Sequence, residues 1–250
     1  MLRTLFSATI LAGALAGRAM AQAPDAGCVL PSEPKGIPAA LDAAITGPAE
    51  ENVGPVTVDV AERNGGFHSM LPLSGKIDAP TGAPSPTDLA AILSVEPAEV
   101  SQVFFAGVGV PICFAQLSSN EAVDRAAINR AAWGATLSRA WFPHVFFFAG
   151  NLRDGGKLYA RMWAPALGVE EDPATGSACA ALVGAMASKP EFGGTAYRLS
   201  IQQGVSMGRR SEIEAKARKS GAVLTSVSVG GATAYIASGE IDVPPSALVS

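Results

Sequence analysis

An acidic loop followed by a run of small residues offers the clearest chemistry in this sequence. Residues 170–172 are Glu-Glu-Asp, Pro173 follows, and Thr-Gly-Ser-Ala at 175–178 leads into an apolar run. Proline fixes its own φ, and glycine lets the backbone approach a ligand without a Cβ in the way. The pattern therefore predicts a loop that becomes a helix, with Ser177 as the helix N-cap.

Such a helix start is suited to holding an anion. Its first N–H groups have no partner inside the helix and lie at the positive end of the helix dipole, so a carboxylate binds there without a basic side chain. The acidic residues upstream are better suited to proton transfer than to anion binding. Spacing alone also fits, and by itself favours, an ordinary capped helix with solvated acids in front of it.

Three sequence blocks, in order, resemble the PhzF-like phenazine biosynthesis family, which has a diaminopimelate-epimerase-like fold. The blocks are Arg-Met-Trp-Ala-Pro at 161–165 with Glu-Asp-Pro-Ala-Thr-Gly-Ser-Ala at 171–178, then Gln203-Gly204 with Met-Gly-Arg-Arg-Ser at 207–211, and Val-Gly-Gly at 229–231. The resemblance extends from about Glu51 to Ile241, with a weaker part before it. Three blocks in this order are far more specific than one alone.

The resemblance implies an α+β fold of two pseudo-symmetric halves. Each half is a curved, mostly antiparallel sheet or barrel around a central helix, and the first half is truncated here. Residues 1–75 are expected to form the truncated first domain, joined by the C-terminal tail 237–250. Residues 76–236 are expected to form the second domain, which carries the acidic loop.

The resemblance also implies an isomerase that catalyses a cofactor-independent proton shift on a small carboxylate metabolite bound between the two halves. Neither a metal nor an organic cofactor is implied, and homodimers are common in the family. Asp172 and Ser177 match the Asp and Ser that lie in the family's active site, and our hypothesis is that Asp172 is catalytic and orients the substrate or relays a proton. The substrate carboxylate is expected to bind at Thr175, Gly176, Ser177 and Ala178.

Two motifs of the family are not found in this sequence. The family's main acid/base is a Glu in an Asn-Ser-Glu-Thr-like motif, and a His in a Gly-His-Pro-Thr loop assists it. Glu50 and Glu51 stand before a predicted strand and not in that context. The alternative function is therefore a catalytically inactive, truncated homologue that acts as a small-anion binding protein.

The N-terminus supports two interpretations. Arg3, the apolar run 5–17 and Ala-Met-Ala at 19–21 resemble a secretory signal peptide. Ser-Ala at 7–8 and the small residues after it instead resemble the helix of a truncated first half. We favour truncation because Arg18 stands beside the supposed cleavage site. This predicts a cytoplasmic protein, with a periplasmic or secreted location as the alternative if residues 1–21 are a signal peptide.

Composition limits the remaining function classes. The 250 residues carry a net charge of −4 with a pI near 5.3, and no basic stripe occurs, which argues against nucleic-acid binding. The apolar run near the N-terminus is shorter than the ~20 residues that a membrane helix needs, so no membrane association is expected. Three cysteines and two histidines supply neither a disulfide framework nor a zinc site. Cys113 and Cys179 are expected in the core.

Hydrophobic periodicity predicts many strands with two embedded helices. The predicted strands are 53–60, a return strand from 67, two pieces within 103–117, 142–149, 158–163, 197–203, 211–217, and a hairpin at 223–236 that turns at Gly230-Gly231. The predicted helices outside the acidic-loop region are 88–93, capped by Thr87, and 120–137.

Overall fold

The described part of the chain is a curved sheet with helices on both faces. A computed structural model of the chain describes residues 49–51, 54–63, 66–74, 76–140 and 142–234. Its strands are β1 (Ala49–Glu51), β2 (Gly54–Val56), β3 (Asp59–Arg63), β4 (Gly66–Ser74), β5 (Val100–Val108), β6 (Val110–Leu117), β7 (His144–Gly150), β8 (Gly156–Trp163), β9 (Ala196–Gln203), β10 (Ser211–Ser220) and β11 (Val223–Thr233). Its α-helices are α1 (Pro86–Leu93), α2 (Asn120–Arg125), α3 (Arg130–Thr136) and α4 (Gly176–Ala187), and 3₁₀ turns lie at Pro97–Glu99 and Pro165–Leu167.

Nine strands form one sheet in the order β3-β4-β11-β10-β9-β8-β7-β6-β5, and β1 and β2 pair separately. All neighbours are antiparallel except β6 with β7 and β8 with β9. The predicted α+β class is confirmed. Strands from both sides of the predicted boundary at residues 75 and 76 share this sheet, because β4 pairs with β11. The division into two domains stays a prediction, and the segments 1–21 and 237–250 lie outside the described residues.

Helix α4 occupies the concave face of the sheet. It contacts β5 and β6 near one end of the sheet as well as β9, β10 and β11, so the sheet wraps around it. Nine of its twelve residues are buried. Its small residues allow this close approach. A Cβ on Gly184, for example, would lie 2.4 Å from Ile77 Cδ1. An all-round apolar helix is stable only when it is enclosed in this way.

The opposite face of the sheet carries a second hydrophobic core under α1, α2 and α3. Strand β7 contributes to both cores because successive side chains of a strand point to opposite faces. Phe146 and Phe148 pack toward α4, whereas Val145 and Phe147 pack toward the other helices. This explains why the sequence of β7 is a continuous apolar run, as predicted for a buried strand.

The single helix predicted over residues 120–137 is wrong, since the chain forms two short helices there. Between them, the N–H groups of Ala127 and Asn129 donate to the carbonyls of Leu93 and Ile92 at the end of α1. The Asn129 side chain then caps α3. These tertiary hydrogen bonds override the high helix propensity of the alanine-rich sequence.

The cap of α1 and the hairpin at Gly230-Gly231 also differ from prediction. Ser85, not Thr87, is the N-cap and forms a capping box with Asp88. Strand β11 runs through Gly230 without turning, and the chain reverses instead at Gly221, between β10 and β11. Glycine is needed at position 230 because a Cβ there would lie 1.9 Å from the Ser69 carbonyl oxygen of β4.

Candidate functional site

The acidic loop follows β8 after a short connection that contains the 3₁₀ turn Pro165–Leu167, and it runs directly into α4. The backbone N–H of Asp172 donates to the Met162 carbonyl at 3.0 Å, which ties the loop to β8. Helix α4 starts at Gly176 with Thr175 as its N-cap residue, so the prediction of Ser177 as the cap is wrong by two positions. Thr175 makes no side-chain capping bond because its hydroxyl is used by Asp172.

Asp172 is held by hydrogen bonds from the next turn of the loop. The Thr175 hydroxyl lies 2.7 Å from Asp172 Oδ2, and the Ala174 N–H lies 3.5 Å from Asp172 Oδ1. Gln203, at the end of β9, completes the arrangement with hydrogen bonds to the backbone of Asp172 and Thr175. The carboxylate of Asp172 is therefore fixed in place while its residue stays half-buried.

Only some of the N–H groups at the start of α4 have a hydrogen-bond acceptor in the described part of the protein. The Thr175 N–H donates to Gln203 Oε1 at 3.1 Å, so both donors of Thr175 are used within the protein. Substrate contact by Thr175 stays a prediction. Among the described residues, the N–H groups of 176–178 and the Ser177 hydroxyl have no hydrogen-bond acceptor. For Gly176, Ser177 and Ala178, substrate binding stays a prediction.

The two glutamates before Asp172 have other partners, contrary to the expected role in proton transfer. Glu171 accepts two hydrogen bonds from Arg161, at 3.0 and 2.8 Å, and one from Ser206 at 2.6 Å. Burial alone would raise the pKa of Glu171, but these hydrogen bonds outweigh it and lower the pKa below its ordinary value. Glu170 pairs with Arg130 at the surface. Glu171 is therefore a permanently charged structural group at neutral pH.

Arg161 connects this loop to the helices on the convex face of the sheet. Its guanidinium also donates to three backbone carbonyls around the end of α2, those of Val123, Asp124 and Ala126. It lies 5.3 Å from the Trp163 ring centroid, within range of a cation–π interaction. Arg161 belongs to the first sequence block, but its position in the sequence did not indicate that it would connect the loop to these helices.

The three sequence blocks come together in space. Gly204 packs so closely on the loop that a Cβ there would lie 2.7 Å from the Pro173 carbonyl oxygen. Its φ of +76° also favours glycine. Val229 of the third block lies beside Gly176, with 3.5 Å between Val229 Cγ2 and the position of a Cβ on Gly176. The blocks therefore form one structural unit around the start of α4.

Two cavities lined by described residues lie elsewhere. One of about 560 Å³ lies on the convex face, against Lys157, Tyr159 and Gln202, and one of about 20 Å³ lies near Gly107. Neither contains Asp172 or residues 176–178. Asp172, Gly176 and Ser177 are half-buried and Ala178 is fully buried, and all four lie outside both cavities.

The side chains of the described cysteines and histidines form no hydrogen bonds with the acidic loop. Cys113 and Cys179 are fully buried, which confirms the prediction that they are core residues. Burial raises the pKa of Cys113 to about 12, and burial with the nearby charge of Asp172 raises the pKa of Cys179 strongly. His144 is buried in β7, and His68 Nε2 lies 3.2 Å from Glu214. Within the described ranges, no three His, Cys, Asp or Glu side chains cluster as metal ligands.

A sheet wrapped around a central helix, with an acidic residue at the helix start, defines the class of protein as epimerase-like in fold. The chain belongs to the phenazine biosynthesis-like (PhzC-PhzF) family, whose sequence model matches residues 44–239. This confirms the resemblance of the three blocks. Across the described residues, none of the helices has the length and apolar character to cross a membrane.

Individual relatives agree with this assignment. The chain is 29% identical over 201 residues to an uncharacterized isomerase of Mesorhizobium japonicum, covering 77% of this chain and 66% of that protein. The fold resembles the Bacillus anthracis phenazine biosynthesis protein of the PhzF family (TM-score 0.63, 15% identity, 77% of this chain and 67% of that one). It also resembles a predicted epimerase of Pseudomonas aeruginosa (TM-score 0.56, 21% identity, 75% of this chain and 63% of that one). The chain thus spans about two thirds of the length of these relatives.

Proposed function

We propose that the protein is an isomerase that catalyses a cofactor-independent proton shift on a small carboxylate metabolite. The observation that carries the proposal is the position of Asp172, fixed next to a helix start whose N–H groups have no acceptor among the described residues. A proton-transfer group beside an anion site is what such a reaction requires.

The roles divide between the loop and the helix. The N–H groups of 176–178 and the Ser177 hydroxyl would bind the substrate carboxylate, since the helix dipole favours negative charge there. Asp172 would remove a proton from a carbon of the bound substrate or return one. In this proposal the described residues supply one wall of the substrate site, and the substrate binds between the two halves of the fold.

The relatives support the isomerase class over the alternative of a silent anion-binding protein. One relative is named an isomerase and a structural neighbour a predicted epimerase. Both names describe rearrangement without net oxidation, which a carboxylate and backbone amides are able to assist. The substrate of this chain and its independence from cofactors belong to the proposal.

Proton exchange in deuterated water tests the proposal directly. The protein is incubated with a panel of small carboxylates that have a C–H bond next to a carboxylate or a double bond, and deuterium incorporation is followed by NMR and mass spectrometry. We expect incorporation into at least one compound, and a loss of about 10²- to 10⁴-fold in Asp172→Asn.

Glu170→Gln is the matched control, because it removes a neighbouring acid whose side chain is 85% exposed and paired only at the surface. It should leave exchange within about twofold of the parent protein. Carboxylates that bind, as seen by NMR shifts at residues 176–178, without any exchange would support the binding-protein alternative. The absence of both binding and exchange would reject the site itself.

A further inference from the structure

Gln203 is the most deeply buried polar side chain near Asp172, with an exposed fraction of 0%. Its Oε1 accepts from the Thr175 N–H at 3.1 Å, and its Nε2 donates to the Asp172 carbonyl at 2.6 Å and to Thr175 Oγ1 at 2.9 Å. The orientation of this amide is unambiguous: the backbone N–H only donates and the backbone carbonyl only accepts, so a flipped amide would lose both bonds.

The orientation of the Thr175 hydroxyl follows from this. A hydroxyl has one proton to donate, and its oxygen here already accepts from Gln203 Nε2. Its own proton is therefore directed to Asp172 Oδ2, 2.7 Å away. Gln203, Thr175 and Asp172 form a chain of hydrogen bonds with a single direction.

The two oxygens of Asp172 become chemically distinct as a result. Oδ2 accepts the hydrogen bond from Thr175, which occupies one of its lone pairs. Among the described residues, Oδ1 has only a long contact, 3.5 Å from the Ala174 N–H. Oδ1 is therefore the carboxylate oxygen left open for exchange with a substrate.

We propose that Gln203 and Thr175 are positioning residues that reserve Asp172 Oδ1 for proton exchange with the substrate. The inference rests on the function proposed above. In the step, a substrate C–H bond breaks, its electron pair stays on the substrate, and an O–H bond forms at Oδ1. Return of this proton to a different carbon restores the carboxylate.

The fold holds Gln203 rigidly enough for this role. It is the last residue of β9 and is paired with Ala160 of β8 and Ser211 of β10. The next residue, Gly204, packs its backbone against Pro173 of the loop. The amide therefore approaches the loop from two anchored strands, and catalytic geometry depends on such preorganisation.

The geometry is tested in the ligand-free protein by NMR. Three-bond couplings between the backbone and the Asp172 carboxyl carbon report whether its side chain occupies one rotamer. We expect a single rotamer in the parent protein and in Thr175→Ser, which keeps the hydroxyl. Rotamer averaging is expected in Thr175→Val and in Gln203→Glu, which has no Nε2 donor.

The catalytic consequence is tested by deuterium exchange in the same proteins. Thr175→Val should lower kcat by about 10²-fold while KM changes less than about threefold, since the binding amides are untouched. Thr175→Ser should stay within about threefold of the parent, and the effects of Thr175→Val and Gln203→Glu should not add. Gln202→Glu is the matched control, because its side chain lies on the opposite face beside Arg210 and Glu212.

The possible outcomes separate the two proposals. A single Asp172 rotamer in Thr175→Val overturns the positioning role, and so does averaging without loss of kcat. If the parent protein exchanges no substrate proton, the proposed function fails, and the positioning of an exchanging oxygen fails with it. In that case, the three-bond NMR couplings still show whether the chain of hydrogen bonds fixes the Asp172 side chain.

Discussion

Glu170 and Glu171 are adjacent in sequence but contribute very differently to the stability of the protein. Arg161 and Glu171 are 11% and 16% exposed and joined by two hydrogen bonds, whereas the side chain of Glu170 is 85% exposed. Removing one partner of a buried ion pair leaves the other charge buried without compensation. A surface pair contributes little because water already solvates both groups.

Glu171→Gln should therefore destabilise the protein by about 3 kcal/mol, measured by urea unfolding at neutral pH. Glu170→Gln should change the free energy of unfolding by less than about 0.5 kcal/mol. Because the pKa of Glu171 is lowered in the folded state, its contribution is present above the ordinary value of 4.5 and is lost as the pH falls through the folded value. The loss of stability below pH 4.5 should be smaller in Glu171→Gln. If Glu171→Gln and Glu170→Gln lowered the free energy of unfolding at neutral pH equally, this would contradict a structural role for the Arg161–Glu171 pair.

The site was only partly predictable from the residues. The sequence indicated the loop and the helix start, because proline, glycine and small residues have local conformational preferences. Asp172 was indicated by the family resemblance. The sequence did not indicate that Gln203 holds Asp172, since the two are far apart in sequence and meet only through the pairing of β8 with β9. The resemblance had marked Gln203 as part of a block without giving it a role.

At the scale of elements, prediction succeeded where a segment's own pattern decided its structure. Strands β7, β8 and β9 were predicted within two residues because apolar runs and alternation reflect burial directly. Prediction failed where contacts with residues distant in sequence determined the structure. The break between α2 and α3 depends on carbonyls of α1, and the glycines of β11 depend on the close approach of β4.

Gly230→Ala tests this account of β11. The added methyl would meet the Ser69 carbonyl oxygen, and a backbone atom cannot move aside by changing a rotamer. We expect a loss of about 2–3 kcal/mol in the free energy of unfolding, with faster amide exchange in β4 and β11. Gly193→Ala is the control, because a Cβ there would meet no atom of the described residues within 4 Å, its chain neighbours aside. If Gly230→Ala were as stable as Gly193→Ala, the glycine would have another explanation.

At the scale of the whole molecule, the two hydrophobic cores share their strands. Leu182 of α4 is fully buried on the concave side of the sheet, and Leu93 of α1 is fully buried on the convex side. Strand β7 supplies alternate residues to both cores, so neither core is able to unfold while β7 keeps its place. The described residues should therefore unfold as one cooperative unit.

Leu182→Ala and Leu93→Ala should each lower the free energy of unfolding by about 3 kcal/mol and leave a single transition. Circular dichroism follows the sheet and helices. In a Trp141→Phe background, tryptophan fluorescence follows the convex core, where Trp133 and Trp163 lie. We expect the two signals to coincide in both variants, because the loss of either core removes the support of the shared strands. Leu167→Ala, at an exposed position, serves as the control with little change. Separate transitions in Leu182→Ala, with fluorescence persisting after the loss of circular dichroism, would mean that the convex core folds without α4.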